Sequence, residues 1–144
     1  MTILTATNEK IISLAIFLLR CAAGIIFFAG GAGKMLGWFG GIGPEVTTQF
    51  FSAMGFSKFL AYLSSYTEFI GGFLLIIGFL TRPAAFALLI NMTVAFIVSL
   101  PHGFLTPMGA STPFAFMICV LAILLTGPML FSVDWIVFTR KHQR

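Results

Sequence analysis

Tyr66 Thr67 Glu68 Phe69 Ile70 Gly71 Gly72 Phe73 Leu74 Leu75 Ile76 Ile77 Gly78 sets a carboxylate inside a run otherwise apolar enough to cross a bilayer. Glu68 follows Lys58 by ten residues and precedes Arg82 by fourteen. At 1.5 Å per helical residue it lies roughly 15 Å from one flanking cation and roughly 21 Å from the other. That is close to the middle of a hydrocarbon core about 30 Å thick. A charge at that depth costs roughly 2.5 to 3.5 kcal/mol on insertion scales, so it faces a partner, a cavity or a substrate rather than lipid.

The rest of the chain has the composition such a segment needs. Its 144 residues are 59% hydrophobic and 8% charged, with a mean hydropathy of +1.07, where a soluble domain carries about 25% charged residues. The length allows about four spans of roughly 20 residues with short connections. We therefore expect one all-α membrane domain over 1–144, a four-helix bundle embedded in the lipid bilayer with no separate soluble part. The formal charge of +4 gathers at loops and chain ends, which marks topology and not nucleic-acid binding.

Spans are expected at about 11–30, 59–80, 84–100 and 114–131. The first resembles a signal peptide in having Lys10 before an apolar run, but its length, Arg20 within it and the absence of an Ala-x-Ala site argue for a retained helix. Thr81 Arg82 Pro83 makes a tight turn, because proline disfavours helix at the residue before it and opens the next helix at its first turn. Four spans put both termini on one side with Arg82. That side holds Lys10, Arg82, Arg140, Lys141 and Arg144 against Lys34 and Lys58 on the other, so the positive-inside rule predicts cytoplasmic N- and C-termini. Between the first two spans, glycines and Pro44 precede Val46, Phe50 and Met54 at i, i+4, i+8, the spacing of a short amphipathic helix that rests in the outer interface or folds back as a lid.

Counting residues from the flanking cations puts Arg20 roughly 15 Å, Glu68 roughly 21 Å and Asn91 roughly 13 to 14 Å above the inner boundary. Three helices thus bring their most polar residues to similar depths. We expect an Arg20 and Glu68 pair, since a guanidinium recovers much of the insertion cost through charge-assisted hydrogen bonds. Asn91 and one of Ser64, Ser65 or Thr67 complete the set. Such a pair either locks the helices together or forms a ligand site. As a site, it offers donor and acceptor at one depth, which suits a quinone-like carbonyl or phenol head.

Lys34 and His102 stand near the outer ends of the first and third spans, where they line the mouth of a cavity or serve as interface anchors. At the inner end Asp134 caps the helix carrying Trp135 or pairs with Arg82 or Arg140. Cys21 and Cys119 lie at different depths and read as buried small side chains, not a disulfide. No metal site, nucleotide fingerprint or haem ligand pair is visible.

In order and spacing, these residues resemble the DoxX family of small prokaryotic membrane proteins. The resemblance rests on Arg20 with Gly24, Phe27, Gly30 and Lys34, then Glu68 with Gly71, Gly72, Leu75 and Gly78. Thr81 and Arg82 with Ala84 and Ala85, then Met92 and Ala95, carry it on to Leu125 Thr126 Gly127 Pro128, Ser132 and Asp134. It covers about residues 14 to 137, and departs from the family at Met129 Leu130 Phe131. It implies a bundle in the cytoplasmic (inner) membrane, associated with quinol oxidase and thiosulfate-to-quinone electron transfer, some members assembling with superoxide- and thiol-handling enzymes. The family positions that would carry a site are Arg20, Lys34, Glu68 and His102.

The expected function is a redox-associated subunit that binds a quinone or similar lipophile and couples to a membrane-associated oxidoreductase, as an accessory protein and not a stand-alone enzyme. The chain itself supplies no redox centre, so electron transfer needs a partner or the quinone. Two rivals are a transporter for a small molecule or proton and a scaffold for soluble oxidoreductases, either as a monomer or an oligomer.

Overall fold

The computed structural model describes residues 2–129 and 132–141, with side chains over 8–129 and 132–137. It is helical, and no strand occurs among the described residues. Among the described residues six α-helices follow in order: α1 (Thr2–Leu36), α2 (Gly43–Ala53), α3 (Lys58–Ile77), α4 (Thr81–Ser99), α5 (Ser111–Thr126) and α6 (Val133–Lys141). Short 3₁₀ turns at Trp38–Gly40 and Leu100–His102 join α1 to α2 and follow α4. Among the described residues three segments are long and apolar enough to cross a membrane: Asn8–Leu36, Lys58–Ile77 and Thr81–His102. α5 is equally apolar but shorter, at 16 residues, about 24 Å of helix. Such a set of faces needs lipid, not water, around it: this is a membrane protein.

Local chemistry sets the ends. Gly37, at φ 69, takes the left-handed conformation that closes α1, its N–H bonded to the Gly33 carbonyl. Ser57 caps α3 by accepting from the Leu60 N–H, and Gly78 at φ 69 ends it with the Gly78 and Phe79 N–H groups on the Leu74 carbonyl. Pro83 sits in the first turn of α4, where its missing N–H costs nothing. α5 stops at Gly127, φ 72, short of the expected end at Phe131; Leu130 and Phe131 lie outside the described residues.

α1 and α3 form the main antiparallel pair, α4 packs on α3 and α5, and α5 also meets α1. Glycines allow the closest approach of α1 to α3. A Cβ on Gly31 would strike the Phe69 backbone, and one on Gly72 would strike the Phe28 backbone nitrogen. Small-residue contacts of this kind are how membrane helices gain dispersion energy without a hydrophobic driving force. Phe28 stacks on Phe69 with ring centroids 4.8 Å apart. The core is Ala23 and Phe27 from α1, Leu75 from α3, Ala84, Ala85, Leu88 and Met92 from α4, and Val120 and Ile123 from α5. Outward faces carry Ile25, Ile70, Phe73, Phe86, Ile90 and Ile97, each half-exposed or more, as a lipid-facing surface requires.

α1 continues through the expected boundaries of the first span at both ends. Lys10 is therefore not the point from which depth is counted, and that offset matters for the polar residues.

Candidate functional site

Glu68 is buried, with 6% of its side chain exposed, and it is bound on two sides. Lys34 Nζ donates to both carboxylate oxygens at 2.7 Å. Asn91 Nδ2 donates to Oε1 at 3.1 Å. Asn91 in turn accepts at Oδ1 from the Ser64 hydroxyl, 2.8 Å away, which fixes the amide's orientation. One continuous network thus joins α1, α3 and α4. Gly30 leaves room beside it, since a Cβ there would stand 3.4 Å from Glu68 Oε2. α2 closes over the same level: the Thr47 hydroxyl donates to the Gly43 carbonyl at 2.7 Å and lies 3.3 Å from the Lys34 carbonyl.

The expected Arg20 and Glu68 pair gives way to Lys34 and Glu68. Arg20 is buried against the other end of α3, where a Cβ on Gly78 would stand 2.8 Å from its guanidinium carbon. Gly78 is ten residues from Glu68 along α3, about 15 Å. Arg20 also lies over the Phe17 ring at 5.6 Å and within electrostatic reach of Asp134. The reason is directional. Every helical Cα–Cβ bond tilts toward its own N-terminus, so on antiparallel α1 and α3 the Arg20 side chain leans away from Glu68. Lys34, one turn beyond Gly30, leans back toward it, and Glu68 leans toward Lys34.

Asn91 joins the network. Ser64 does too, whereas Ser65 and Thr67 turn back to the carbonyls of Ala61 and Leu63. His102 is not brought to it: the residue is exposed and eleven positions past Asn91, about 16 Å along α4. Its carbonyl accepts from the Thr106 hydroxyl at 2.7 Å within the loop. Thr47 was missed by the sequence reading. Its signal was a threonine pair, Thr47 and Thr48, set off the Val46 and Phe50 stripe of α2.

A second polar junction lies at the Arg20 end. Asp134 accepts from the N–H groups of Leu80 and Thr81, both at 2.9 Å, and its own N–H reaches the Gly78 carbonyl at 3.0 Å. It thus caps α4 from across the bundle. The expectation that it caps the helix bearing Trp135 is corrected: Ser132 does so, accepting from the Trp135 N–H at 3.0 Å. Arg82 lies against Gly127, whose Cβ position is 2.9 Å from its Nε; the side chain of Arg140 lies outside the described residues. Cys21 and Cys119 are free thiols. No group of three or more His, Cys, Asp or Glu side chains among the described residues is placed to hold a metal ion.

Two polar levels, Lys34–Glu68–Asn91 and Arg20–Gly78–Asp134, therefore bracket the apolar layer of Phe27, Leu75 and Leu88. A family model, DoxX, matches residues 15–101, the segment that carries both levels up to the end of α4. The chain belongs to the DoxX family. A relative in Bacillus subtilis (strain 168), named "Putative oxidoreductase CatD", is 32% identical over 134 residues, covering 92% of this chain and 94% of that protein. No solved structure matches this DoxX chain.

Proposed function

We propose that this DoxX protein is a redox-associated subunit of a prokaryotic cytoplasmic membrane, with four spans and cytoplasmic termini. In this reading the Lys34, Glu68 and Asn91 network receives the polar head of a quinone-like lipophile. The observation that carries the site is the asymmetry of its ion pair: Glu68 is enclosed while the Lys34 side chain is 33% exposed. An ammonium has three donors, and the two Glu68 oxygens engage at most two of them. The remaining donor meets a carbonyl or phenol oxygen, with Glu68 as the acceptor for a hydroxyl proton. The oxidoreductase name of the Bacillus relative supports the redox association. The electrons belong to the lipophile and to an oxidoreductase partner.

Proton passage through the bundle is the weaker reading, because a path from Glu68 toward Arg20 and Asp134 meets Phe27, Leu75 and Leu88, all buried. Arg20, in this account, holds the inner junction and takes no part in lipophile binding.

The test is extraction of bound small molecules from protein purified in mild detergent, with mass spectrometry on wild type, Lys34→Gln, Glu68→Gln and Asp134→Asn at matched folded amounts. A quinone or phenolic lipophile held by wild type and Asp134→Asn but lost from both network variants is the expected result. Equal retention in all four samples removes the site from this level. The absence of any lipophile from folded wild type removes the quinone reading.

A further inference from the structure

We infer that the segment Trp38–Phe50 is a membrane-interface anchor, seated in the leaflet that surrounds the α1 and α3 ends, with phospholipid acyl chains against Ile42, Val46 and Phe50. The reasoning starts from the three faces of α2. Successive helical residues rotate by about 100°, so Ile42, Val46 and Phe50 share one sector of about 80°. Glu45, Thr48, Gln49 and Ser52 share another, of about 100°, centred about 130° away from Val46 and Phe50, with Gln49 at its border beside Ile42. Thr47 and Phe51 fall between the two on the remaining side.

Each sector meets a different medium. Thr47 is buried against the bundle beside the Lys34 carbonyl, and Thr48, at the edge of the polar sector nearest to it, is buried too. The polar sector, with Lys58 from the start of α3, lines an open pocket of about 450 Å³, whose four polar α2 side chains and ammonium suit water. The third sector stays uncovered: Ile42, Val46 and Phe50 are 43 to 56% exposed. Trp38 and Phe39, in the turn leading into α2, are 54 and 72% exposed, and continue the same apolar surface.

Two features say what covers it. The segment joins two helices that are themselves apolar enough to span, so its exposed side chains continue the lipid-facing belt of α1 and α3. A tryptophan beside phenylalanine at the end of a span is also the composition of the interfacial aromatic belt. The backbone is bent to present them. Gly37, Gly40 and Gly43 take positive φ, and so does Phe39 at φ 55, where a side chain is uncommon. Burying Phe39 in the leaflet offsets the cost of that conformation. The geometry is that of an in-plane amphipathic helix, here with its third face latched to the Lys34 level.

The experiment uses the full chain in nanodiscs, whose two faces are both open to reagent. In a Cys21→Ala, Cys119→Ala background, single cysteines at Val46, Phe50, Glu45 and Ser52 are labelled with a membrane-impermeant maleimide. At least tenfold slower labelling at 46 and 50 than at 45 and 52 is expected; equal rates at all four overturn the proposal. Independently of any change in α2, Trp38 emission in Trp135→Phe protein is measured with lipids spin-labelled near the top of the acyl chain. Strong quenching is expected. Protection at 46 and 50 without quenching of Trp38, or cross-linking of Phe50→Cys between two copies, shows protein over this surface and overturns the lipid assignment.

Discussion

Replacing Lys34 by Met and Glu68 by Gln, singly and together, isolates the ion pair on which the proposed site rests. Two unit charges 4 Å apart attract by about 4 kcal/mol at an effective dielectric of about 20. Here the ammonium stands 2.7 Å from both oxygens, but one-third of the lysine side chain is exposed. Solvent screening and side-chain ordering bring the expected coupling to about 2 kcal/mol. Lys34→Met alone should be the costlier single change, about 3 kcal/mol, because it strands an enclosed carboxylate. Glu68→Gln keeps the shape and an acceptor for Asn91. The same cycle on Arg20→Gln and Glu68→Gln should be additive within about 0.5 kcal/mol, as befits groups about 15 Å apart. Both cycles are read from reversible unfolding in mixed detergent micelles, followed by circular dichroism. A Lys34 and Glu68 coupling under 0.5 kcal/mol, or a larger coupling for Arg20 and Glu68, refutes the placement of the charges.

Two further outcomes follow from the packing. Gly31→Ala and Gly72→Ala drive a methyl group into the facing backbone, which cannot give way as a side chain can, and should each destabilise by about 3 kcal/mol or more, the upper end for overpacking. Gly40→Ala, at φ 77 with nothing within 4 Å of the new methyl, should lose only the roughly 1 to 2 kcal/mol of left-handed backbone; equal losses at all three in the same unfolding assay contradict the close approach of α1 to α3. Asp134→Ala removes both acceptors at the start of α4 and should cost about 2 kcal/mol. Hydrogen exchange should accelerate at Leu80 and Thr81 while the Glu68 level stays protected; unchanged exchange there refutes the cap.

Much of this was legible in residue types and spacing. Apolar runs bounded by Ser57, Gly78, Pro83 and Gly127 specify helices and their ends by local rules that need no tertiary information. Glu68 announces itself, because an enclosed carboxylate in an apolar run demands partners, and Asn91 follows from depth. Its charged partner did not follow. Depth was counted from Lys10, whereas α1 runs on to Thr2 below it and to Leu36 above the expected end. A residue's height says where its Cα lies, and a long side chain moves its charge by a further turn. Applying the N-terminal tilt of Cα–Cβ bonds to an antiparallel pair selects Lys34 over Arg20 without a structure. The Asp134 cap was out of reach for a different reason: the bond spans fifty-four positions to Leu80, and no periodicity encodes which helix end a distant carboxylate will meet.

That cap also orders events during biogenesis. A chain made from its N-terminus delivers Leu80 and Thr81 to the membrane long before Asp134 has been synthesised. Until then α4 lacks its native acceptor, while the Lys34, Glu68 and Asn91 contacts, all drawn from the first 91 residues, have every member present. The polar level near Glu68 is thus available for assembly first, and the opposite end of the bundle is fastened only as α6 arrives.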